Sequence, residues 1–291
     1  MSRQHVPPIG ILLTISAYFF MSLFSALNKA VQEAGFPAAQ VMFYDGIVGM
    51  ICMTGVAALR GGVKSLRMKN APLQIFLMGL NVGGAFMTFQ AYPYLALVNA
   101  YLIAFTGPLM IMALSSIVLH ERIRFRQIVA MLVGFAGVVV ALGPQGLMLN
   151  APVIKMFSGI GMFALSQVLV RKLSETESTW SFPFYYYLGM AVLSVALFHQ
   201  QFIAPETPRQ WGMLLGLGIL DAASLVMVYL GLKYAKASTV APFQYSCLLW
   251  VVLLDMVLWD KFPPVYTWLG AAVIVLSGLY LATRGRKGRH K

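Results

Sequence analysis

Ten apolar runs, each about 20 residues long and centred near residues 20, 48, 82, 107, 134, 162, 192, 220, 248 and 274, fill most of the 291-residue chain. That length matches a helix crossing the hydrocarbon core of a bilayer, about 30 Å thick. Lipid offers no water to unpaired backbone groups, so a spanning segment is either a helix or a strand of a closed barrel. The runs lack period-two alternation and are too long for barrel strands. The expected fold is therefore all-α: a polytopic membrane protein with ten transmembrane helices. Composition agrees, with 59% hydrophobic and only 10% charged residues, against roughly 25% charged in a soluble domain. The connections are too short to hold a soluble domain. The first run, from Ile9 to Leu27, follows a short segment carrying Arg3. It exceeds the length of a signal-peptide core and is counted as the first span.

The basic residues orient the spans. With ten crossings both termini share one side, and 17 of the 21 lysines and arginines fall on it; Lys29, Lys155, Arg209 and Lys261 fall opposite. The positive-inside rule makes that side cytoplasmic. The net charge of +12 is spread over short loops, as a topological signal is, and implies no nucleic-acid partner. Cys52 and Cys247 lie inside predicted spans without metal or disulfide spacing. The histidines, His5, His120, His199 and His290, lie in tails, loops or span ends. No phosphate-binding loop, H-E-x-x-H or G-x-S-x-G occurs. The expectation is no catalytic residue, no metal and no cofactor.

A weak internal repeat divides the chain into residues 1–145 and 146–291. At an offset of about 143, Asn28-Lys29 falls on Arg171-Lys172 and Phe43-Tyr44-Asp45-Gly46 on Tyr186-Tyr187-Leu188-Gly189; at about 140, Asn81 falls on Asp221. Five spans per half make the copies inverted in the membrane. Inverted repeats recur in secondary transporters, with the substrate site near the midplane.

The stretch AYLIAFTGPLMIMALSSIVLHERIRFRQIVAMLVGFAGVVVAL resembles the EamA-type repeat of the drug/metabolite transporter superfamily: a span, a glutamate at the turn (Glu121), then a glycine-bearing scaffold span. ASTVAPFQYSCLLWVVLLDMVLWDKFPPVYTWLGAAVIVLSGLYL is similar, with Asp260 for the glutamate. Within the superfamily the chain is most similar to amino-acid exporters of the YddG kind. The resemblance implies a bacterial inner-membrane carrier that moves aromatic and other bulky amino acids outward. Two departures fall in expected cavity helices, Met21-Ser22 for the usual Trp-Gly and Asp45 for the usual Arg.

An intramembrane carboxylate costs about 2.5 to 3.5 kcal/mol on insertion scales and by default faces a partner or a polar cavity. Asp221, mid-span, is the strongest such position, expected to attract a substrate ammonium group or to carry a coupling proton. Asp45 is a second coupling candidate, read as lying nearer the helix entrance and within reach of water. Asn81 and Gln244 are expected to bond a carboxylate, and Tyr101, Thr106, Tyr245 and Trp250 to complete the substrate site through hydroxyl and ring contacts. Gly107 and Pro108 interrupt span four and Pro242 interrupts span nine, marking hinges. Spans five and ten carry no charge in their centres and are expected to face lipid. Asp255 and Asp260 are read as interfacial, and Glu121 as a cytoplasmic turn residue. The partners implied are a small amphiphilic substrate and the lipid bilayer, and a monomer suffices. A proton-coupled drug or metabolite efflux carrier and a passive channel are the alternatives.

Overall fold

The computed structural model describes residues 7–60, 66, 70–118, 125–146, 150–173, 181–235 and 240–284. Glu121, His5, His120, His290, Arg3 and the loop cations Lys64, Arg67, Lys69, Arg122, Arg124 and Lys236 lie outside them, as does the basic tail from residue 285. The described residues form eleven α-helices and no strand: α1 Pro7–Glu33, α2 Ala38–Arg60, α3 Ala71–Ala91, α4 Leu97–Ala104, α5 Gly107–Val118, α6 Phe125–Gly146, α7 Ala151–Leu173, α8 Ser181–Phe198, α9 Pro208–Tyr234, α10 Ser246–Trp259 and α11 Val265–Arg284. Span four is thus built from two helices, α4 and α5. Among the described residues, seven segments are long and apolar enough to cross a membrane, and three shorter apolar helices coincide with spans five, nine and ten. Seven and three account for the ten expected runs.

Helix ends follow local chemistry. Gly35 at φ 98° stops α1, while the Phe36 N–H reaches back to the Val31 carbonyl, a left-handed glycine cap. Pro72 and Pro208 occupy first-turn positions, where the missing N–H costs nothing and φ is preset.

The chain folds into two compact units, and neither is a sequence half. One, residues 24–94 and 155–222, is centred on the pair α2 and α8. A Cβ on Gly46 would stand 2.6 Å from the Ala191 backbone nitrogen, so only glycine lets these helices approach. Both ends of the buried Gln40 amide bond the Ile203 backbone, at 2.6 and 2.8 Å, tying the start of α2 to the loop before α9. The other unit, residues 1–23, 95–154 and 223–291, is centred on α6 and α11. There a Cβ on Gly270 would stand 2.4 Å from the Ala141 nitrogen, and the buried Thr267 hydroxyl donates to the Ala141 carbonyl at 2.9 Å. The opposite faces of these helices, including Leu132, Val140, Leu269 and Leu276, are exposed. That is the apolar outer surface expected of spans five and ten. In each unit a span packs on its counterpart from the other half: two on seven, five on ten. Close backbone approach through small residues is how helices associate where lipid removes the hydrophobic drive.

Candidate functional site

The α6/α11 unit contains both predicted helix breaks. Helix α4 stops at Ala104, Phe105 and Thr106 form a turn, and Gly107-Pro108 opens α5. Pro108 disfavours helical geometry at the residue before it and brings no N–H of its own. The buried Thr106 hydroxyl turns back to the Ile103 carbonyl at 2.7 Å, an oxygen that also accepts the Thr106 backbone N–H at 2.9 Å. In the second half Pro242 lies in a 3-10 turn, Ala241–Tyr245, that leads into α10. The two breaks bring Phe105 and Tyr245 together, with ring centroids 4.9 Å apart. Phe19 of α1 meets Trp250 edge to face at 5.0 Å. The Tyr101 hydroxyl donates to the Met21 carbonyl at 3.1 Å. Ser246 and Trp250, one turn apart on α10, hold a buried hydroxyl and a buried indole N–H that have no hydrogen-bond partner. An aromatic wall thus carries two vacant donors, suited to an apolar ring and an anionic or carbonyl oxygen.

The α2/α8 unit holds the intramembrane carboxylates of spans two and eight. The Tyr187 hydroxyl donates to Asp221 Oδ2 at 2.6 Å. Ser25 and Tyr92 pair through their hydroxyls at 3.4 Å. Asp45 is 0% exposed, and neither carboxylate oxygen has a hydrogen-bond partner. Asn81 uses its amide N–H groups on the Leu77 carbonyl, at 2.8 Å, and the Ser166 hydroxyl. That bond crosses between helices and engages the donors expected to meet a carboxylate. Gln244, in the other unit, bonds its neighbour Tyr245.

Two readings of the sequence, those of Asp45 and Asp255, need correction. Asp45 does not sit at a wet helix entrance; α2 continues past it and packs on α8, and no part of the residue meets solvent. Lys29 lies on α1, which runs on to Glu33 and buries the lysine completely. Asp255 is not interfacial. It is 1% exposed, and its carboxylate accepts the backbone N–H groups of Leu97, at 3.1 Å, and Val98, at 2.9 Å. Asp260 is exposed as expected and ends α10 in the left-handed conformation, φ 55°. The structure groups Tyr101, Thr106, Gln244, Tyr245 and Trp250 in one unit, and Asn81, Asp45 and Asp221 in the other. Phe19, Phe105 and the role of Tyr187 escaped the sequence reading. The one signal for Tyr187 was its place in Tyr186-Tyr187-Leu188-Gly189, the repeat of Phe43-Tyr44-Asp45-Gly46.

The EamA-like transporter family model matches residues 8–143 and again 151–284. The chain belongs to the EamA-like transporter family. It is accordingly a multi-pass membrane protein of a transporter family built from two repeats. Among curated relatives, it is 25% identical to the pseudopaline exporter of Pseudomonas aeruginosa, over 96% of this chain and 97% of that protein. It is 26% identical to the riboflavin transporter of Vibrio cholerae, over 97% and 95%. A solved crystal structure shares the fold with a TM-score of 0.66 at 21% identity, covering 97% of this chain and 98% of that one. Other EamA-type relatives are S-adenosylmethionine uptake transporters, such as that of Rickettsia conorii, 26% identical over 66% of this chain and 65% of that one. Export and uptake both occur among such relatives, so membership establishes a transporter family and fixes neither direction nor cargo.

Proposed function

We propose that this protein is a secondary carrier in a bacterial inner membrane, exporting small amphiphilic metabolites, most of all aromatic and other bulky amino acids, by alternating access. Residues 1–145 and 146–291 act as the two inverted repeats, with both termini cytoplasmic. The observation that carries this reading is the pair of vacant donors, Ser246 and Trp250, beside Phe19, Phe105 and Tyr245 at the two helix breaks. A ring stacks on such a wall while an oxygen of the substrate takes the indole N–H and the hydroxyl. Tyr101 holds α4 against α1, and Gly107, Pro108 and Pro242 supply the hinges. Asp221, oriented by Tyr187, offers a carboxylate to a cationic group, and Asn81 fixes α3 on α7.

The reading is tested by counterflow. Proteoliposomes loaded with unlabelled phenylalanine should accumulate labelled phenylalanine transiently, and tryptophan and tyrosine should compete. Trp250→Leu should weaken that competition for aromatic amino acids more than for alanine. Flux that grows linearly with concentration and shows no counterflow would identify a channel. Saturable counterflow restricted to cargo without an aromatic or bulky part would overturn the substrate assignment.

A further inference from the structure

Helices α2, α8 and α9 converge on Asp45. A Cβ on Gly218 of α9 would stand 2.9 Å from the Asp45 carbonyl oxygen and 3.0 Å from the Gly49 nitrogen, so α9 lies directly on α2. Asp221 follows Gly218 by three residues, on the same face. The Tyr187 ring fills the space beside Gly49, 2.5 Å from where a Cβ would be, and its hydroxyl ends on Asp221. Through Gly218 and Tyr187, Asp221 is thus set on the same stretch of α2, Asp45 to Gly49, that carries the first carboxylate. Helix α3, also packed on α2, brings no titratable side chain. Lys29 stands one turn beyond Ser25 on α1, the residue bonded to Tyr92, and is a buried cation of the same compact unit.

A buried carboxylate is ordinarily neutralised or hydrogen-bonded, because an isolated charge in a low-dielectric interior is severely penalised. Asp45 has neither hydrogen bond, although it is withdrawn from solvent as fully as any residue in the protein. Packing does not require a carboxylate there, since the repeat places Leu188 at the equivalent step of α8. We propose that Asp45, together with Asp221 and the Tyr187 hydroxyl, forms a monovalent-cation site that binds the coupling cation of transport. Its ligand is a proton or an alkali cation; the chemistry of two carboxylate oxygens and a phenolic oxygen accepts either. The coupling role rests on the carrier reading above, whereas cation binding itself requires no organic substrate.

The test uses the purified full-length protein in detergent and two infrared difference measurements. In the proton arm, raising the pH should remove a protonated-carboxyl C=O band from the wild type, and Asp45→Asn should lack that change. In the alkali arm, replacing choline with sodium or potassium at fixed pH and ionic strength should shift a carboxylate band in the wild type and leave Asp45→Asn unchanged. A response in either arm that Asp45→Asn loses and the exposed-residue control Asp260→Asn keeps supports the site and identifies its ion. Identical behaviour of wild type and Asp45→Asn in both arms overturns it. Asp45→Leu, which copies the residue of the other repeat, serves as the folding check. Collapse of both Asp45 variants while Asp260→Asn stays monodisperse would also overturn the proposal, by making Asp45 structural. In proteoliposomes, Asp45→Asn should keep phenylalanine exchange and lose gradient-driven accumulation. A cation response without any phenylalanine counterflow would overturn the substrate reading alone, and counterflow without a cation response would overturn this proposal alone.

Discussion

Asp255 and Asp45 are equally withdrawn from solvent, at 1% and 0% exposure, and sit in the two different compact units. Their surroundings are opposite. Asp255 faces the start of α4, where helix geometry leaves N–H groups without intrahelical partners, and takes two of them. The positive end of the helix adds to the attraction. Asp45 lies inside the continuous helix α2, and both of its carboxylate oxygens are left vacant. Burial alone therefore does not sort an intramembrane carboxylate. The availability of backbone donors does: a broken span supplies them and a continuous one does not.

The comparison breaks most visibly if the satisfied carboxylate is removed. Asp255→Ala should strand the Leu97 and Val98 amides, and with about 1.5 to 3 kcal/mol per charge-assisted bond the loss should exceed about 3 kcal/mol. The check is the midpoint of thermal unfolding in detergent, which should fall steeply. Next in size comes helix approach. Gly270→Leu would force a side chain into the Ala141 backbone, costing about 1 to 3 kcal/mol or more, and Gly46→Leu should do the same to α2 and α8. If either variant unfolds at the wild-type temperature, that helix pair does not pack as described. Tyr187→Phe removes a single bond to a charged group and should cost about 1.5 kcal/mol, the low end for such bonds, because Asp221 keeps its other surroundings. Its distinguishing readout is an altered infrared signature of the Asp221 carboxylate. The smallest stability effect belongs to Asp45→Leu. With no hydrogen bond to lose and an unpartnered charge removed, the unfolding midpoint should stay level or rise. A drop comparable to that of Asp255→Ala would erase the contrast between the two carboxylates.

Much of the architecture was legible along the chain because its signals are local. Apolar length marked the spans, including the shorter helices near residues 134, 248 and 274, and Pro108 and Pro242 marked the interruptions. Partnership was not local. Nothing in the neighbourhood of residue 255 announces amides 157 and 158 positions away, so a carboxylate near a helix end read as interfacial.

The amino-acid order by itself determined that this chain is helical, crosses a membrane repeatedly and carries a doubled plan, because hydrophobic length, proline and internal repetition act within a few turns of helix. Tertiary structure decided which helices meet. The pairing of α2 with α8 and of α6 with α11 depends on where backbones approach closely enough to exclude any side chain larger than glycine. It also decided which carboxylate is satisfied and which is vacant, since a hydrogen bond requires two groups within about 3 Å, and that distance is created only when segments remote in sequence pack together.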